Sequence, residues 1–176
     1  MQNDLPEIVD LWHLAAVGGR LRGTLPLQRM QRLKPLLASD AGDVVIELFG
    51  GIDQQSRLFI AGHLDARAEM ICQRCMLVTA IPIAADFRLI LAHSEEQAAA
   101  LPKQCEPLIA QEGGSSIIEL VEDELILALP IIPVCENRED CGYSPPHDVA
   151  KTSEASKPFA ILESLLDGSK LKDSKT

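Results

Sequence analysis

From Val44 to Ala92 apolar residues recur at alternate positions, and no other feature of this chain restricts its fold so sharply. Val44, Ile46 and Leu48 alternate with Glu47 and Phe49. Leu58, Ile60, Leu64, Ala66, Ala68 and Met70 alternate with His63, Asp65, Arg67 and Glu69. Ile81, Ile83, Ala85, Phe87, Leu89 and Leu91 alternate with Asp86 and Arg88. A period of two is the mark of strands with one buried and one wet face. Gly50-Gly51 and the cluster Asp53–Ser56 divide the first strand from the second. Three consecutive strands with short connections form an antiparallel meander. Pro82 has no N–H to give to a ladder, so its strand is expected to be an edge or to bulge there.

The flanking segments read differently. Residues 1–40 form a mixed helical and extended entry, in which Pro26 suits the first turn of a short helix through Leu27, Met30 and Leu33. That helix sets Arg29 and Arg32 on one face, and Pro35 opposes its continuation. His93 to Gln111 is loop-like, with a short Ala-rich helix. After Gly113-Gly114, Ser116-Ile117-Ile118-Glu119 has capping-box spacing. Ile118, Val121, Leu125 and Leu129 make one helical stripe that ends at Pro130. The acidic run Glu119, Glu122, Asp123 and Glu124 reads as a solvated helix start near the positive end of the macrodipole. Ile131 to Val134 is expected to return as a short strand. The class is therefore α+β: an antiparallel β-meander with a packed helix and a flexible C-terminal tail carrying a short helix. The expected organisation is one domain over 1–142, a linker over 143–157, and a short helix with its tail over 158–176.

Cys72-Gln73-Arg74-Cys75 sits where the second alternating strand ends and the third begins. A Cys-x-x-Cys turn at a hairpin tip can aim two thiolates at one tetrahedral ion. Cys135 and Cys141, five residues apart, supply a second and looser pair. Zinc held by Cys72, Cys75, Cys135 and Cys141 is one reading. Buried, unliganded thiols are another, because Cys72 continues the apolar phase of its strand. Redox chemistry is a third, although a thioredoxin-type motif belongs at a helix N-terminus and this one bridges two strands. Cys105 has no evident partner, and the five-cysteine count does not suit a disulfide framework. His63 and Asp65 share a wet strand face and read as solvated polar positions. No phosphate-cradling Gly-rich loop, His-Glu-x-x-His or Gly-x-Ser-x-Gly is present.

No apolar run is long enough to cross a bilayer, and Met1–Asp10 lacks the pattern of a secretory signal, so a cytoplasmic address is expected. The formal charge of −10 is uneven. Residues 1–38 carry five basic groups (Arg20, Arg22, Arg29, Arg32 and Lys34) against Asp4, Glu7 and Asp10, a net +2 that leaves −12 for the rest. A chain so acidic is repelled by polyanions unless the contact is local, and its acidic surface suits basic partners.

Four stretches carry a resemblance to a known family: Cys72–Cys75, Gln97–Pro102 (QAAALP), Val121–Val134 (VEDELILALPIIPV) and Lys157–Leu165 (KPFAILESL). Their order resembles the YceD family of large ribosomal RNA subunit accumulation proteins over about residues 45–166. The resemblance implies a cytoplasmic ribosome biogenesis factor needed for synthesis, processing or accumulation of 23S (large-subunit) ribosomal RNA. It implies a non-catalytic binding or assembly protein, with no catalytic residues to carry over. The expected partners are a ribosomal RNA precursor, a basic large-subunit ribosomal protein, or both, with no membrane and no small-molecule substrate. If RNA is touched directly, Arg20, Arg22, Arg29, Arg32 and Lys34 are the expected contacts. The rival classes are a zinc-containing RNA-processing enzyme and a thiol redox module.

Overall fold

In a computed structural model, which describes residues 5–136, the alternating stretch forms three long strands. They are β3 (Asp43–Ile52), β4 (Leu58–Ile71) and β5 (Val78–Ala92), paired antiparallel in sequence order. Val44, Ile46, Leu48, Ile60, Leu64, Ala66, Ile83, Leu89 and Leu91 all point to one buried face. The turn between β3 and β4 is built by Asp53, whose carboxylate accepts from the N–H groups of Gln55 and Arg57 at 2.9 and 2.8 Å. Ser56, at φ +61°, completes the reversal.

The meander is the centre of a larger sheet of order β2-β3-β4-β5-β6. β2 (Arg20–Pro26) pairs antiparallel with β3, and β6 (Glu106–Ile109) pairs parallel with the end of β5. β6 pairs only with Leu89–Ala92, so β5 is an edge at Pro82 among the described residues, where a missing N–H does no harm. A second ribbon joins β1 (Ile8–Val9) to β7 (Ser115–Ser116).

Two helices cover the buried face. α1 (Leu11–Ala16) is capped by Asp10, whose carboxylate accepts from the His13 N–H at 2.9 Å. It lies so close to β3 that a Cβ at Gly50 would meet the backbone of Ala15 and Leu14 at 2.5 Å. Gly50→Ala is therefore expected to displace α1 and cost on the order of 2 kcal/mol in urea unfolding. An unchanged midpoint would show that the helix can move freely.

α3 (Ile117–Ala128) is capped by Ser116, which accepts from the Glu119 N–H at 3.3 Å, as the capping-box spacing requires. Its buried stripe is Ile117, Leu120, Val121 and Leu125, turned by about one residue from the expected Ile118, Val121, Leu125 and Leu129. The helix stops before Pro130, with Leu129 extended at ψ 138° as a pre-proline residue prefers. Between β5 and β6 lies the short α2 (Glu95–Ala99).

Three expectations are corrected. Pro26 closes β2 and does not open a helix. The chain beyond it makes two single 3-10 turns, Leu27–Arg29 and Lys34–Leu36, the second holding Pro35, so no continuous helix forms. The apolar spacing still buries Leu27, Met30 and Leu33. Ile131–Val134 is not a strand: Ile131 is 98% exposed, and the segment is held by the Gln73 N–H donating to the Pro133 carbonyl at 2.8 Å. The acidic run is not wholly solvated, because Glu122 is buried against Arg32 and Leu33, between these two turns. The linker over 143–157 and the short helix over 158–176 lie outside the described residues.

Candidate metal centre

The hairpin between β4 and β5 ends in a tight loop from Cys72 to Leu77. The Cys72 N–H donates to the Leu77 carbonyl, and the Met76 N–H donates back to the Cys72 carbonyl, both at 2.9 Å. Met76 takes φ +62°, a conformation that costs a side-chain-bearing residue about 1 kcal/mol and survives only where the surroundings fix it. Here they do. The Gln73 contact with Pro133 brings the chain after α3 onto the loop, and it delivers Cys135.

Three sulfurs converge. The Sγ atoms of Cys72, Cys75 and Cys135 all lie within 4.8 Å of one another. Cys72 and Cys135 are separated by 3.7 Å. That is far longer than a disulfide bond, and it matches the edge of about 3.8 Å that Zn–S bonds of 2.3 Å give a tetrahedron. Cys72 is fully buried, and the other two are half-buried. The N–H groups of Arg74 and Cys135 each point at the Cys72 sulfur from 3.4 Å. The Arg74 guanidinium donates to the Cys135 carbonyl at 2.9 Å and to its sulfur at 3.2 Å.

Burial pushes the Cys72 thiol up. The backbone N–H groups of Cys75, Cys135 and Arg74 outweigh it and bring the pKa down from 9.0 to about 6. Cys72 is thus a thiolate at neutral pH, the form a metal needs. The three residues can bind a metal ion. Cys141, the expected fourth ligand, lies outside the described residues. Among the described residues no other set of three His, Cys, Asp or Glu side chains converges in this way.

Other expected positions lie elsewhere. Cys105 receives a contact from the Arg57 guanidinium at 3.2 Å, on the opposite face of the sheet. His63 Nδ1 lies 2.8 Å from an Asp86 carboxylate oxygen on the neighbouring strand, so its partner is Asp86 and not Asp65. The five basic residues near the N-terminus divide into two places. Arg20 and Arg22 are on β2, with Arg22 paired to Glu47 at 3.0 Å. Arg29 pairs with Glu7, Arg32 with Glu122 and Asp123, and Lys34 with Asp40 at 3.5 Å. The part played by Arg74 beside the sulfurs has no signal in sequence spacing, because it arises only when the segment after α3 folds back.

The matches to known proteins span this centre. The model of a family described as "Large ribosomal RNA subunit accumulation protein YceD" matches residues 60–166, more than half of the chain, including all four cysteines of the proposed set. A protein of Haemophilus influenzae with the same description is 28% identical over 149 residues, which cover 81% of this chain and 85% of that protein. No solved structure matches. The hairpin tip and α3 both lie within the matched residues, and the chain belongs to the YceD family of large ribosomal RNA subunit accumulation proteins.

Proposed function

We propose that this protein acts in the cytoplasm as a non-catalytic biogenesis factor that supports accumulation of large-subunit ribosomal RNA. The family match carries this reading. Its partners are a ribosomal RNA precursor, a basic large-subunit ribosomal protein, or both. The acidic balance of the chain suits the second, and a local contact is needed for the first.

In the same reading the cysteine centre is structural. Zinc held by Cys72, Cys75, Cys135 and Cys141 would fasten the β4–β5 hairpin to the segment after α3. Four thiolates close the coordination shell and leave no position for an activated water, which separates a staple from a hydrolytic site. The fully buried Cys72 sulfur also sits poorly with a thiol redox module, which needs an accessible thiolate.

Deletion of the gene is expected to lower the ratio of large- to small-subunit ribosomal RNA, and the wild-type gene to restore it. The ratio is read from total RNA of deleted and complemented cells. An unchanged ratio across several growth conditions would remove the proposal.

A further inference from the structure

We propose that the outer face of the sheet binds single-stranded RNA, along a row formed by Arg20, Phe49, Ala61 and Arg88. The inference rests on the proposed function and names the surface that would serve it. In the sheet register Arg20 lies opposite Phe49, Phe49 opposite Ala61, and Ala61 opposite Arg88. Cross-strand partners share a face, and Phe49 and Arg88, exposed between buried neighbours, place the row on the side turned away from α1 and α3, where Ala61 is buried with Phe59 and Ile90. Phe49 is 43% exposed, and its ring meets Phe59 edge-on at 5.8 Å between centroids. The Arg88 guanidinium lies over the other ring, 3.8 Å from the Phe59 centroid. Beside them an open groove of about 790 Å³ is lined by Arg57, Phe59 and Arg88 together with the carboxylates of Asp53, Asp86 and Glu106.

Ion pairing decides where a phosphate can go. In the next row Arg22 is held by Glu47 and His63 by Asp86. On the far side Arg57 is held by Asp53 at 2.7 Å. Arg29, Arg32 and Lys34 are each engaged by carboxylates, of Glu7, of Glu122 and Asp123, and of Asp40 respectively. Among the described residues, Arg20, Arg67, Arg88 and Lys103 make no ion pair, and of these only Arg20 and Arg88 share a row. The row therefore carries two guanidinium groups without a carboxylate partner on either side of an exposed aromatic ring, the Arg88 group resting on Phe59. Asp86 in the next row, Asp65 two rows away, and Asp53 and Glu106 on the groove rim limit any positive potential to this strip. An exposed ring between guanidinium groups is the arrangement that stacks an unpaired base and neutralises its flanking phosphates. It offers nothing to a duplex, whose bases are already stacked. It also explains how a chain of net charge −10 can touch RNA at all: the contact is a strip, not a general field.

The test uses the full chain and a fluorescein-labelled single-stranded RNA of about ten nucleotides, read by anisotropy. Wild type is expected to bind with an affinity that falls steeply with salt. The double variant Arg20→Gln/Phe49→Ala is expected to bind about tenfold or more weakly, and Arg88→Gln to weaken binding in the same direction. Arg22→Gln, one row away, is expected to stay within about twofold. All sites are at the surface, and circular dichroism confirms folding of each variant. Absence of binding by wild type, or equal binding by wild type and the double variant, overturns the proposal. So does a double variant that fails to restore the ribosomal RNA ratio while wild type shows no affinity for RNA, since the strip then docks a protein. An unchanged ratio in the deletion strain is a separate result: it removes the proposed function and leaves the measured RNA affinity to stand or fall alone.

Discussion

Replacing Cys72 with serine is expected to take the protein from about one bound zinc per chain to less than about a tenth, measured by elemental analysis after purification without chelator. The geometry makes Cys72 the sulfur on which the centre depends. It is the buried one, it lies 3.7 Å from Cys135, and it collects the N–H groups of both segments. A hydroxyl in its place is a poor zinc ligand and stays protonated at neutral pH. Chelator is expected to lower the unfolding midpoint of wild type and to leave that of Cys72→Ser unchanged, because only the former has metal to lose. Equal zinc in the two proteins would end the structural-zinc reading.

Acid gives an independent check on the same centre. Cys72 titrates at about 6 in the fold, against an ordinary thiol value in the unfolded chain. Between those values the unfolded chain holds a proton that the folded chain does not. Stability of the metal-stripped protein therefore rises with pH across that window, and is lost as pH falls through about 6. Zinc should leave over the same range, since the proton competes for the sulfur.

The strands and the capped helix were legible in the sequence because each exposes one face to water and buries the other. Period and capping then report directly on structure. β2 was not, because Arg20-Leu21-Arg22-Gly23 shows only one half-buried apolar residue and a glycine where a strand would show alternation. β6 was hidden for a different reason: four residues containing Pro107, in parallel with β5, carry no pattern of their own. The cysteines were legible as candidate ligands by chemistry. What spacing could not supply was the Gln73–Pro133 contact that brings Cys135 to Cys72 across 63 positions of sequence. The RNA strip was illegible in the same way. Phe49 and Arg88 belong to different strands, and only the register puts them in one row with Arg20.

Glu122 shows most clearly how a residue can be misread from its neighbours, and its replacement should have the largest effect on stability outside the core. In sequence it is one carboxylate among four near a helix start, each favourable there and each dispensable. In the fold its side chain is only 5% exposed. One oxygen accepts from the backbone N–H groups of Arg32 and Leu33 at 2.6 and 3.0 Å, and the other from the Arg32 side chain at 3.1 Å. The two backbone donors sit between the two 3-10 turns, where no helix continues to satisfy them, so α3 supplies the acceptor that the broken helix lacks. Glu122→Ala leaves the buried Leu33 N–H without that acceptor and loosens the segment that buries Leu27, Met30 and Leu33 against the sheet. The expected cost is about 3 kcal/mol in urea unfolding followed by circular dichroism. Glu122→Gln keeps an oxygen for the two N–H groups but turns an amide against the Arg32 guanidinium, so about half that loss is expected. Glu119→Ala, on the same turn but with its side chain at the surface, should change stability by less than about 0.5 kcal/mol. If Glu122→Ala unfolds within that margin of wild type, the first segment is held by its apolar contacts alone and the carboxylate is incidental.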